Sequence, residues 1–133
     1  MFCIYCGNRT QVTNSRLQRR KNSTWRRREC LACKKTTTSV EFNDLSRSIT
    51  VLNNGHKSPF ERDKLFVSIY KSLQHRDDAQ RDATAICDTV INSLKFSPTE
   101  PVLSIDIIKT VHQVLKRFDT ASATHYKAFH RSI

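Results

Sequence analysis

Residues 25–33 read WRRRECLAC, so three consecutive arginines run directly into a Cys-x-x-Cys pair; a matching pair, CIYC, occupies residues 3–6. Two residues between thiolates let one tight turn offer both sulfurs to a single ion. Two such turns complete a tetrahedral four-sulfur site with no position left for water, which makes the site structural, not catalytic. Cys3, Cys6, Cys30 and Cys33 are therefore the expected ligands of one structural Zn2+ per chain. Redox chemistry and disulfides are the competing uses of such pairs. The fifth cysteine, Cys87, lies on an apolar helical stripe and is expected to be a buried, inert thiol.

The arginines next to the second pair belong to a wider charge pattern. The 133-residue chain carries 23 Lys+Arg against 12 Asp+Glu, a formal charge of +11, and 11 of those cations against 3 of the acids fall within residues 1–47. Basic charge concentrated in one third of a chain points to a polyanionic partner, because each neutralised phosphate releases counterions. On a strand, Arg26 and Arg28 would share one face, with Trp25 and Arg27 on the other. A metal staple beside that strand would hold the guanidiniums in place and lower the entropy lost on contact with phosphates or guanine edges. Arg16, Arg19, Arg20 and Lys21, between the two cysteine pairs, extend the set. Trp25 is read as the ribbon's own small core in preference to a platform for a base.

The remaining sequence divides the chain into a small β unit, residues 1–46, and a mainly helical unit, residues 47–133. QVTNSRL (11–17) loosely alternates and TTTSVEF (36–42) is rich in β-branched residues. SRSITVL (46–52) leads to Asn54-Gly55, a hairpin signal. From Pro59, placed in a first helical turn, the apolar period becomes helical: Phe66, Ile69, Tyr70 and Leu73. Asp77 and Asp78 are expected to cap a second helix with the stripe Ala79, Ala83, Ile86, Val90 and Leu94. Ser104 is expected to cap a third, with Ile108, Val111, Leu115 and Phe118 inward; a fourth segment offers Ala123, Tyr126 and Phe129 or His130. The fold class is α+β, a β ribbon followed by helices with a short hairpin at their start.

A strand, an Asn54-Gly55 turn and a helix carrying Lys64 could cradle a nucleotide, but an ordinary helical domain with an exposed lysine fits the same residues. No Walker-type glycine loop is present. The five histidines show no triad spacing and no HExxH or GxSxG occurs, so an enzyme is not expected; a metal-dependent hydrolase would also need an open coordination position. No apolar run approaches membrane-spanning length and no signal-like leader is visible. The expectation is a reducing, cytoplasmic setting without a membrane partner.

CIYCGN, VTNSRL and WRRRECLACKKTTTSVE resemble the zinc ribbon of the NrdR family, bacterial repressors of ribonucleotide reductase genes, and NNGHKSPFERDKL resembles the opening of that family's ATP-cone. The resemblance runs from Cys3 to about Arg131. It implies a repressor that binds double-stranded DNA through the ribbon, takes ATP or dATP as regulatory ligand in the cone, and acts as a homo-oligomer on paired operator sites in the bacterial nucleoid. By the same resemblance Val51 would pack at the base of the nucleotide site beside Asn53, Asn54 and Gly55. Lys64, Asn53 and either His125 or Lys127 would face the phosphates, with the Ser104 hydroxyl also able to reach them. Leu52 and Asn53 replace the Lys-Arg pair usual before the turn, Ser58 replaces an acidic residue, His125 replaces an arginine, and Asn14 replaces an aspartate. The main alternative is an RNA- or protein-binding ribbon whose helical domain is only a scaffold.

Overall fold

The computed structural model describes residues 1–131. The chain forms two compact units, Met1–Asn43 and a second beginning at Asp44. In the first, β1 (Thr10–Gln18), β2 (Ser23–Cys30) and β3 (Thr36–Phe42) make an antiparallel sheet in the order β1-β2-β3. A single 3-10 turn, Arg19–Lys21, joins β1 to β2, and Asn22 closes it in the left-handed region at φ 46°. The register shifts between Val12 and Asn14, where Thr13 bulges and its hydroxyl donates to the Arg27 carbonyl at 3.3 Å. Among the described residues of this unit only Cys3, Ser23 and Cys30 are buried. So little apolar burial cannot fold forty residues alone.

The second unit opens with a one-turn helix, α1 (Leu45–Ser48), capped by Asp44, whose carboxylate accepts from Ser46 N–H at 3.1 Å. The hairpin of β4 (Thr50–Asn53) and β5 (His56–Pro59) turns at Asn54 and Gly55, with φ 49° and 79°. Two successive positive φ values are what a two-residue turn of this hand demands, and Asn-Gly supplies them at the least strain. A short β6 (Val102–Leu103) then lies parallel to β4, giving the order β5-β4-β6. The helices are α2 (Arg62–Lys71), α3 (Ala79–Ser93), α4 (Ser104–Phe118) and α5 (Thr120–Phe129). Ile69, Leu73, Val90, Val111, Leu115 and Tyr126 form the centre of their shared core. Burial pushes the Tyr126 phenol up to about 12.

Several local expectations are corrected by this packing. Pro59 is not in the first turn of a helix; it ends β5 opposite Thr50, on an edge strand, where a missing N–H costs no ladder bond. Asp78 holds the N-cap position of α3 but its carboxylate pairs with Arg81 at 2.7 Å instead of capping. Ser104 is the first residue of α4, not its cap; Leu103 precedes it in extended geometry. Phe118 is 43% exposed and lies under the Arg76 guanidinium, and Phe129 is 72% exposed, so the inward position falls to His130, stacked on Tyr126 at 4.1 Å. β6 and α1 are too short to carry a periodic signal.

Asp119 ties the helical unit together at the α4–α5 junction. Its carboxylate caps α5 by accepting from the Ser122 N–H and hydroxyl, and it also meets His75 Nε2 at 3.1 Å and Arg76 Nη1 at 3.8 Å. The Ser122 hydroxyl, with His75 and the helix N–H groups, holds the carboxyl down at about 2 against an ordinary value of 3.8. A depressed acid contributes stability that is present above its unfolded pKa and lost as pH falls through its folded one. Asp119→Ala should therefore cost about 1 kcal/mol at neutral pH, the usual value of a lost cap. The difference from the parent should shrink as pH falls from about 4 to about 2, as chemical denaturation across that range will show.

Candidate metal centre and nucleic-acid interface

The two cysteine pairs form mirrored turns. Gly7 N–H donates to Cys3 O at 3.0 Å with Gly7 at φ 73°, and Lys34 N–H donates to Cys30 O at 3.2 Å with Lys34 at φ 62°. Each turn reverses the chain tightly enough to aim two sulfurs at one point. Backbone N–H groups of Tyr5, Ala32 and Cys33 approach Cys3 Sγ or Cys30 Sγ at 3.4 Å, and the Asn8 amide approaches Cys6 Sγ at the same distance. The Cys30 N–H bond to Lys35 O closes the second turn, and the Leu31 N–H bond to Arg9 O joins it to the chain leaving the first.

All four sulfurs lie within 4.8 Å of one another, with Cys3–Cys33 at 3.7 Å and Cys6–Cys30 at 3.4 Å. A tetrahedral zinc with bonds of about 2.3 Å needs edges of about 3.8 Å, so the cage fits the ion with small adjustments. The thiols are also prepared for it. Tyr5 N–H draws the Cys3 thiol down, and the Asn8 amide brings Cys6 to about 6. At Cys33 the Lys35 backbone pulls downward, but burial and the neighbouring sulfurs outweigh it and leave the thiol at about 11. Four sulfurs this close ionise together only around a cation. The four cysteines are positioned to bind one zinc ion. Cys87 sits apart in the helical core, where burial pushes its thiol up to about 11.

Strand β2 enters the metal cage at Cys30 and carries the arginines with it. The register puts Arg26 opposite Ser15 and Ser39, so these share one face with Arg28 and Glu41. Arg26 Nη1 donates to Ser15 Oγ at 2.9 Å and its other nitrogen lies 3.6 Å from Glu41; Arg28 Nε donates to Ser39 Oγ at 2.9 Å. Trp25 and Arg27 take the opposite face. Trp25 is half-buried between Arg16 and Val40, and Arg27 is exposed between Asn14 and Thr38. Arg16 and Arg27 have no side-chain partner among the described residues. Arg19, Arg20 and Lys21 are exposed on the 3-10 turn. The roles of Ser15, Ser39 and Glu41 depend on strand register, which no motif in the sequence displays.

In the second unit the candidate residues group differently. Asn53, at the end of β4, accepts from the Ser104 hydroxyl at 3.0 Å, so the turn Asn54-Gly55 stands beside the start of α4. Val51 is packed against the helical core. Lys64 pairs with Glu61 at 3.2 Å and opens onto a depression of about 530 Å³ that it lines with Asp63, Val67, Ser68, Lys71, Phe129 and His130. His125 faces the His75 ring at 5.5 Å, and Lys127 is exposed.

Residues 1–41 match the family model described as the N-terminal domain of Transcriptional repressor NrdR-like proteins. The first unit is therefore similar to an NrdR-type zinc ribbon, and similarity to proteins named as NrdR repressors runs along nearly the whole chain. Transcriptional repressor NrdR of Symbiobacterium thermophilum is 29% identical over 131 residues, covering 98% of this chain and 87% of that protein. Transcriptional repressor NrdR of Thermosipho melanesiensis is 26% identical over 132 residues, with the same coverage. The residues that match the ribbon model include all four cysteines of the cage, and the similarity to the two repressors continues through the helical unit.

Zinc loading should be checked on protein purified without added metal. Elemental analysis should give about one zinc per chain, Cys30→Ser should reduce that ratio sharply, and chelation should unfold the ribbon while sparing the helical core. Cys87→Ser should leave the zinc content unchanged.

Proposed function

We propose that this chain is a nucleotide-responsive DNA-binding repressor whose targets are ribonucleotide reductase genes. The observation that carries the reading is β2 itself: a strand fixed at Cys30 by the metal cage and bearing Arg26, Arg27 and Arg28 in set directions. Support also comes from the names of the relatives, both transcriptional repressors. A sheet with its side chains is about 10 Å thick, and the major groove of duplex DNA is about 12 Å wide. Entered edge-on from β1, the ribbon brings Arg16, Arg19, Arg20 and Lys21 to the phosphates. Arg27 faces one wall of the groove. Arg26 and Arg28, held by Ser15 and Ser39, face the other with little rotamer freedom left to lose.

The helical unit then acts as the sensor. An adenine nucleotide binds at the Asn54-Gly55 turn and the start of α4, with Val51 beneath it and Asn53 and Ser104 toward the phosphates; Lys64, which lines a separate depression on α2, would have to reach across to join them. His125 and Lys127 are the further candidates on α5. The first turn of α4 offers free N–H groups to an anion. For the ligand to act as a switch it must favour one oligomer of the chain over another by a few kcal/mol. Leu52, where a lysine is usual, leaves the site short of one cation.

Two measurements test these roles separately. Affinity for operator duplex should fall steeply with salt; Arg27→Ala should reduce the salt slope by about 1 and weaken all sequences alike. Alanine at 26, 27 and 28 together should abolish binding with zinc content unchanged. A triple variant that still binds duplex, or a parent that prefers matched RNA, would overturn the DNA role. For the sensor, Leu52→Lys should tighten ATP and dATP by calorimetry and Lys64→Ala should weaken both, with light scattering following subunit number.

A further inference from the structure

The two edges of the ribbon sheet are built differently. β1 is a poor template for another strand. It bulges at Thr13, whose hydroxyl is turned back onto Arg27 O, and Arg16 projects from it beyond the bulge. Bulges and cationic side chains are the usual protections of an exposed edge. β3 has none of these. Thr36–Phe42 is a seven-residue strand, TTTSVEF, with no lysine, arginine, proline or glycine and no register shift against β2. Its outer edge pairs with no strand among the described residues. Two apolar side chains on it, Val40 and Phe42, are 42% and 66% exposed.

We propose that the β3 edge is a self-pairing interface, at which a second copy of this chain adds its own β3 in antiparallel register about a two-fold axis through Ser39. The charge pattern selects that occupant and that register. With Ser39 opposite Ser39 of the second copy, Glu41 stands opposite Thr37 of the other strand. Within each copy Thr37 is itself paired with Arg28. Because Arg28 leans toward β3 to reach Ser39 Oγ, its guanidinium lies on the side from which the other copy's Glu41 approaches. The axis repeats this acid–base pairing, so the edge complements itself electrostatically as well as in its hydrogen bonds. On the opposite face Val40 meets Thr38, and Phe42 meets Thr36, extending the strip that begins at Trp25. A single β3 edge could serve only two copies, so the contact closes at a dimer of ribbons. Repulsion between two basic ribbons opposes it and is screened within about 8 Å at physiological salt.

The test uses the full-length, zinc-loaded chain at physiological salt with a mild thiol oxidant. Ser39→Cys should form a disulfide-linked dimer several-fold faster than Gln11→Cys, which places a thiol on the protected β1 edge. Since Ser39 also accepts from Arg28, a second pair keeps it intact: Thr38→Cys and Val40→Cys chains, mixed, should cross-link to each other faster than either does to itself. Glu41→Lys in the Ser39→Cys background should slow the reaction, and combining Arg28→Glu with Glu41→Arg should restore it. Equal rates at the two edges, or a Glu41→Lys chain that cross-links as fast as its parent, would overturn the proposal.

Discussion

Convergence of four sulfurs on one point is the constraint from which the rest of the ribbon follows. The unit has almost nothing else to fold around: Leu17, Phe42 and Phe2 are each 66% exposed, and burial is confined to the cysteine cage and Ser23. A hydrophobic core of that size falls far short of the conformational entropy of some forty residues. Coordination energy supplies what apolar burial does not, which is why both turns place backbone or amide N–H groups on the sulfurs they present.

The position of the arginines is a consequence of that cage. Because β2 ends in Cys30, strand direction and twist are set at the metal end and carried back through Arg28 to Trp25. Neighbouring strands then finish the alignment. β1 offers Ser15 to Arg26 and β3 offers Ser39 to Arg28, while Glu41 balances part of the charge on that face. Among the described residues, the other face keeps Arg27 and Arg16 without side-chain partners beside Trp25. One strand thus presents guanidiniums of two kinds, held and free, from three consecutive residues.

The helical unit obtains its stability in the ordinary way, from a core centred on Ile69, Val90, Leu115 and Tyr126 and from polar ties at helix ends. Asp119 joins the α5 N-terminus, through Ser122, to the α2–α3 connection, through His75 and Arg76. Its hairpin turn stands beside the first turn of α4 through the Asn53–Ser104 bond. Two stabilising strategies in one chain match the uneven charge: the basic unit is stapled by metal and the nearly balanced one by packing.

Local chemistry in the sequence was enough for the metal ligands, the strand TTTSVEF, the Asn-Gly hairpin and most of the helical stripe. These depend on spacing within a few residues, and the two Cys-x-x-Cys pairs leave little freedom about their use. The resemblance to NrdR ribbons was legible for the same reason. Features set by contacts between distant residues were not legible. Phe118 and Phe129 have the right period for the core, yet the inward positions are filled by neighbours, because helix rotation is decided by the whole packed set. Pro59 carries the local signature of a helix start but is paired with Thr50, since the hairpin register outweighs one residue's preference. The hydroxyls that aim Arg26 and Arg28, and the contrast between a bulged β1 edge and a bare β3 edge, arise only once three strands are aligned. Register converts residues eleven positions apart into partners, and no pattern within one strand encodes it.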